Sequence, residues 1–393
     1  MRAPSLKRED EVNLDTEPLA RKVFALSIHA DYKCHQSGAC CTADWDVPVE
    51  LPLYRSLDEA LGSGRVAPPG QAEPHSPALM VEDDLPDGAA AMVARTASGD
   101  CVFYHRHSGL CVIHRDLGEP MLPATCRHFP RLAVRDARGT FISLTHYCPT
   151  AASSLFREDV PVAIVESPPA FPDAAYEGLV VTDEDWPPLL RPGVLADPGS
   201  YDAWERHMVA RCAEPGLSPE SVIATLARDA GIVQAVMPVT ADAITNAIAQ
   251  LPLAAAVSAV PELLDTSLAD HAEAMQAVPD DWRPEADTGG LAAAYVRDVR
   301  PWWNAWNAPL KRYLAAKAFA SWTAYQGRGF RTIVRGLEAA LALVRVEAAR
   351  QCRDAGRPLD AALLREAFRQ ADFLLNHLAA GDELADSWSK VEA

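Results

Sequence analysis

The chain has 393 residues, of which 49% are hydrophobic and 23% charged, and its formal net charge is −18 at pH 7. That length and balance supply one large or two smaller domains with a buried core, and no run approaches the roughly 18 apolar residues of a membrane helix. The negative charge opposes non-specific binding to nucleic acid and to anionic lipid, so neither is an expected partner.

The first residues, MRAPSLKREDEVNLDTEPL, are charged throughout and lack the apolar centre of a secretory signal. This points to the cytoplasm, where thiols stay reduced. Within residues 1–30 a polar arm gives way to RKVFALSIHADYKC, read as a strand that leads into the first cysteines. CHQSGACC then places Cys34, Cys40 and Cys41 around a glycine-containing turn. Neighbouring side chains of an extended chain point opposite ways, so Cys40 and Cys41 can share one ion only on a special turn. DWDVPVELPLYRSLDEAL reads as a short extended piece and a short helix, and residues 62–90, dense in Pro, Gly and acid, as an excursion loop. Its one GxG, Gly62–Ser63–Gly64, lacks the third glycine of a nucleotide fingerprint.

AAMVARTASGDCVFYHRHSGLCVIH follows as two short β-like runs carrying Cys101 and Cys111, with His105 and His107 on one side of a strand. LPATCRHFP carries Cys126 and Arg127. RLAVRDARGTFISLTHYC alternates on both sides of DARG, as a hairpin does, and delivers Cys148 to a helix start with Pro149 in its first turn. Residues 157–200 are rich in Pro and acid and read as a linker or irregular covering segment. From residue 201 the pattern is helical. SPESVIATLARDAG opens with Ser218 as cap, Pro219 and Glu220 in the first turn, and closes on Gly231. APLKRYLAAKAFASWTAYQGRG sets Leu310, Tyr313, Leu314, Ala318, Trp322 and Tyr325 near one face before Gly327, and two further amphipathic helices follow. Trp302, Trp303 and Trp306 are read either as core anchors or as a recognition face.

The expected fold class is therefore α+β. A loop-rich cysteine-cluster domain with short strands and hairpins occupies 1–156, the Pro-rich segment 157–200, and an α-helical domain 201–393. Seven of the nine cysteines lie in the first 148 residues, while Cys212 and Cys352 stand alone in helical segments as small hydrophobes. Each of the seven sits at a turn or element boundary, where side chains converge. Four thiolates complete a structural zinc site or a cubane iron–sulfur cluster, so seven exceed one closed site. His35, His105, His107, His114, His128 and His146 lie close to them in sequence and make a mixed Cys/His site conceivable. Arg106, Arg115, Arg127, Arg131, Arg135 and Arg138 make the same region locally basic, which favours thiolates. An odd number of cysteines in a reducing compartment disfavours a disulfide framework, and CxxC pairs, CxxxCxxC, HExxH and GxSxG are all missing.

The ordered set CHQSGACC, CVFYHRHSGLCVIH, LPATCRHFPR and HYCP resembles the YkgJ-type cysteine-cluster family of zinc- or iron-chelating proteins, which includes flagellin lysine N-methylase-like members. The matching segments span about residues 30–155, and the helical part is loosely similar to the methylase-like members around PLKRYLAAKAFASWTAY. The resemblance implies Cys34, Cys40, Cys41, Cys101, Cys111, Cys126 and Cys148 as metal ligands, and Arg127, Phe129 and Pro130 as the rest of a CRxFP element. Arg127, next to Cys126, is the candidate cofactor contact. It also implies zinc or an iron–sulfur cluster and, in the methylase branch, S-adenosylmethionine with a protein substrate. The runner-up reading is a non-catalytic, zinc-stabilised interaction protein. No catalytic residue is assigned.

Overall fold

The computed structural model describes residues 22–389 except 44, 71–76, 82–84, 172–179, 182–187, 253–255, 260–263, 281–282, 284–286 and 327–328. The amino-terminal arm, parts of the excursion loop and Gly327 lie outside the described residues. The fold is α+β, with strands gathered in the first half and helices in the second.

The strands are β1 (Val23–Leu26), β2 (Pro48–Glu50), β3 (Leu79–Met80), β4 (Ala89–Val93), β5 (Tyr104–His105), β6 (Leu110–Cys111), β7 (Arg131–Asp136), β8 (Gly139–Leu144), β9 (Ile164–Glu166), β10 (Val180–Val181), β11 (Leu189–Arg191) and β12 (Val194–Leu195). The main sheet runs β10-β7-β8-β1-β9. Its centre is the expected hairpin, in which β7 and β8 pair from Arg131↔Leu144 to Asp136↔Gly139. β1 lies parallel to β8, with Phe24 opposite Phe141 and the two rings stacked at 4.9 Å. The segment 157–200 does more than cover the fold, because β9 pairs with β1 on one edge and β10 with β7 on the other. A second sheet, β2-β4-β3, draws β3 out of the excursion loop, and β5 and β6 form a small hairpin.

Short helices α1 (Leu51–Gly62), α2 (Val112–Leu117), α3 (Ala124–His128) and α4 (Pro149–Ser154) punctuate these strands. The helical half comprises α5 (Pro198–Ala213), α6 (Pro219–Gln234), α7 (Ala241–Ala249), α8 (Leu264–Gln276), α9 (Leu291–Ala294), α10 (Asn307–Ala318), α11 (Thr323–Gln326), α12 (Phe330–Ala355), α13 (Ala361–Phe373) and α14 (Gly381–Ser389). The Ser218 side chain accepts the Ser221 N–H and caps α6, as expected, but the helix runs on to Gln234. The long helix expected over 308–326 is broken. α10 stops at Ala318, Phe319 turns into the core, and Ala320 takes a φ of 53° with its N–H donated to Glu205 Oε1 at 2.9 Å. Here a buried carboxylate and an aromatic slot override helix propensity.

The largest core unites the two halves. Phe24, Leu26, Ile28, Phe141 and Leu155 pack in one cluster with Trp204, Tyr313, Phe330 and Leu364. Cys212 and Cys352 are buried within it. Trp303 is a core anchor whose Nε1 donates to Glu220 Oε1 at 2.9 Å, whereas Trp302 is 48% exposed. A separate core of Val47, Val49, Leu57, Ala91, Val93, Phe103, Val112 and Ile113 supports the turns that carry five of the cysteines.

Candidate metal centre

Each cysteine is delivered by a turn, a strand end or a short helix. The glycine of CHQSGACC, Gly38, has φ 76° and opens a short 3-10 turn, Ala39–Cys41. A Cβ there would stand 2.7 Å from the Tyr104 ring, so only glycine fits. This is the special turn that Cys40 and Cys41 require. It brings their Sγ atoms to 3.8 Å, although the residues are adjacent. The Cys101 N–H donates to Cys41 O at 2.8 Å, and Val112 N–H to Phe103 O at 2.9 Å, which ties the second and third cysteine turns to the first. Cys111 ends β6 and caps α2. Cys126 rides on α3, whose first N–H, on Ala124, reaches Glu50 Oε1 at 2.9 Å. Cys148 caps α4 with Pro149 behind it.

All seven cysteines line one cavity of about 340 Å³, together with Arg127, Arg131, His114 and Phe129. Every cysteine is a free thiol. Five of the seven, Cys40, Cys41, Cys101, Cys111 and Cys126, perturb one another electrostatically. Cys41 keeps its proton, because it hydrogen-bonds to the Cys111 and Cys40 sulfurs and is buried. The same hydrogen bonds lower the thiols that receive them: Cys40 falls below its ordinary value and Cys111 falls to about 7. Burial pushes Cys101 up to about 11 and raises Cys126 as well. Cys34 and Cys148 form a second group around Tyr32, whose hydroxyl lies 3.6 Å from Cys148 Sγ.

Among the described residues, no group of three or more His, Cys, Asp or Glu side chains is drawn together as a shell for a metal ion. The sulfurs are arranged around a chamber rather than at a point. Two observations bear on what the chamber would accept. The donor set is wholly soft and oxidisable, the type chosen by zinc and iron–sulfur clusters. Guanidinium N–H groups of two half-buried arginines also stand beside it without acceptors. Arg127 Nε is buried with no hydrogen-bond acceptor, and so are both Nη atoms of Arg95, which acts electrostatically on Cys101 and Cys126. Donors left without acceptors against a wall of thiols suit an anionic, thiolate-ligated group. By this test the residues fit a metal centre.

Of the histidines near the cysteines in sequence, only His114 lines the chamber. His35 and His107 are exposed. His105 does not share a strand face with His107, since β5 ends at His105, whose Nδ1 lies 2.7 Å from Ser108 Oγ in the turn that follows. His146 is fully buried and turned toward the helical half, with Nδ1 3.1 Å from Asp372 Oδ2. Of the arginines, Arg127 and Arg131 reach the chamber, whereas Arg106, Arg115 and Arg138 pair with Asp100, Asp116 and Asp136. Arg95 is the residue that sequence reasoning missed. Its only signal was a place six residues before Cys101, and the isolated bridge Arg95↔Cys101 converts that spacing into contact. A larger cavity of about 810 Å³ lies among α8, α12 and α13 and holds no cysteine.

No protein-family model, curated protein or solved structure matches the chain. No helix among the described residues is long and apolar enough to cross a membrane.

Proposed function

We propose that the chain is a metal-binding protein whose cysteine chamber holds an iron–sulfur cluster. The observation that carries this reading is the convergence of seven free thiols, drawn from five separate chain segments, on one cavity of about 340 Å³. A chamber ringed by sulfur suits a polynuclear cluster, whose irons each take thiolate from a different side, better than one small ion. The unpartnered Nη groups of Arg95 and the unpartnered Nε of Arg127 supply positive charge against it. Bound there, the cluster would contribute redox or Lewis-acid chemistry, while the chain's own residues ligate it and balance its charge.

Metal and acid-labile sulfide analysis of protein purified without oxygen, with its absorption spectrum, tests the proposal. Iron with sulfide and a broad brown absorption is the expected outcome. Cys126→Ser then loses most of that iron, because it deletes a thiol neighbouring Cys40, Cys101 and Cys111. A full metal complement in this variant overturns the ligand assignment.

Zinc is the second reading, and one distance favours it. The 3.8 Å between Cys40 and Cys41 sulfurs equals the edge of a tetrahedron with Zn–S bonds of about 2.3 Å. Stoichiometric zinc in a colourless protein decides for it, and the chain is then read as a zinc-stabilised interaction module. If iron and sulfide are found, modification of a protein substrate follows as the next proposal. Binding of S-adenosylmethionine to the iron-loaded protein is the test of that step.

A further inference from the structure

The turn that delivers Cys148 is gripped from the helical half, residue by residue. Thr145 Oγ1 lies 3.1 Å from His377 Nε2. The His146 backbone N–H donates to Asp372 Oδ2 at 2.5 Å, and its ring Nδ1 reaches the same oxygen at 3.1 Å. The Tyr147 carbonyl accepts from Arg369 Nε at 2.9 Å, and the Tyr147 ring packs on Phe373 with centroids 4.7 Å apart. Arg369, Asp372 and Phe373 fall at i, i+3 and i+4, on one face of α13. The π-turn Leu374–Leu378 that continues α13 brings His377 onto the same face.

Asp372 is the hub of this grip. It is fully buried, and its second oxygen accepts from Tyr313 Oη at 2.7 Å and from Lys317 Nζ, both on α10. Burial opposes ionisation of Asp372, but the Lys317 ammonium and the His146 hydrogen bonds outweigh it and hold the carboxyl far below its ordinary range. The Cys40–Cys41 turn meets the same face by packing, since Ala39 and Ala43 cluster with Tyr147 and Phe373 and the Trp45 ring lies 4.7 Å from that of His377, whereas Cys101 is held by Cys41 and Arg95 within the first half. We propose that α13, through Asp372 and Arg369, is a positioning element that fixes Cys148 on the wall of the cysteine chamber. The helical half thereby sets the geometry of a site to which it contributes no cysteine. The consequence for a bound metal rests on the reading above, but the positioning itself does not.

The test uses full-length, reduced, metal-free protein and a limiting amount of iodoacetamide, with mass spectrometry of each cysteine. The readout is the alkylation rate of Cys148 relative to Cys101. Asp372→Asn keeps the shape and removes the charge that four donors share, so this ratio is expected to rise about tenfold. Arg369→Gln, which removes one hydrogen bond to the Tyr147 carbonyl, is expected to raise it by a smaller factor. It carries the test alone if Asp372→Asn does not fold. An unchanged ratio overturns the proposal, and so does an equal rise at both cysteines, which reports general loosening. Because no metal is present, failure here is distinguishable from failure of the metal-centre reading.

Discussion

Arg95 and Gly38 show how single residues set the chamber. Burial pushes the Cys101 thiol up to about 11 while Arg95 pulls against that rise. Arg95→Gln is therefore expected to move Cys101 higher still and, on the metal-centre proposal, to weaken metal retention, which thiolate absorbance against pH and metal analysis will read. Gly38→Ala combines a left-handed backbone, costing about 1–2 kcal/mol for a residue with a Cβ, with a contact at 2.7 Å to the Tyr104 ring. The expected result is a lower urea midpoint together with loss of the close Cys40–Cys41 pairing and, on the metal-centre proposal, of bound metal. The glycine was visible in CHQSGACC, and its neighbour across the turn was not. Nothing in the local sequence marks Arg95, because only the bridge to Cys101 makes six residues of separation into contact.

At the scale of elements, local signals placed starts and turns correctly, although Gly231 did not end α6. Ser218 caps α6, Pro149 opens α4, and the DARG turn joins β7 to β8. Asp360 caps α13 in the same manner, accepting the Ala362 and Leu363 N–H groups at 3.0 and 2.9 Å. Asp360→Ala is expected to cost about 1 kcal/mol in urea unfolding. If α13 positions Cys148, the same substitution also raises Cys148 alkylation modestly. Local signals failed where a distant group decided. The break after Ala318 depends on Glu205, more than a hundred residues earlier, and β9 forms only because β1 offers it an edge. The pattern of residues 308–326 carries no trace of either.

The molecule as a whole is joined by buried polar groups as well as by its core. Arg138, at the β7–β8 turn, bonds Asp136 and reaches Glu205 Oε2 on α5 at 2.9 Å, under the ring of Tyr201. Arg138→Met would leave the buried Glu205 carboxylate without its cation and is expected to cost about 3–5 kcal/mol by urea unfolding. His29, His146 and His377 are all lowered, in each case chiefly by burial, and His377 falls from 6.5 to about 4. The unfolded chain therefore takes up protons below about pH 6.5 that the folded chain refuses. Stability is expected to be full above that value and to fall as pH drops toward about 4. Thermal unfolding across this window is the measurement, and His377→Asn is expected to flatten the slope.

By itself the sequence determined the α+β division, the turns that present each cysteine and the caps that start the helices. These depend on side chains a few residues apart, so they are written locally. Only the tertiary structure decided that all seven thiols meet at one cavity, that five of them interact closely while Cys34 and Cys148 neighbour Tyr32, and that Arg95 and Arg127 stand against them with unpartnered N–H groups. It also decided that α13 grips the Cys148 turn. Those relations join residues up to 232 positions apart, as between Thr145 and His377. They are fixed by packing and hydrogen bonding between segments distant in sequence, which no local pattern encodes.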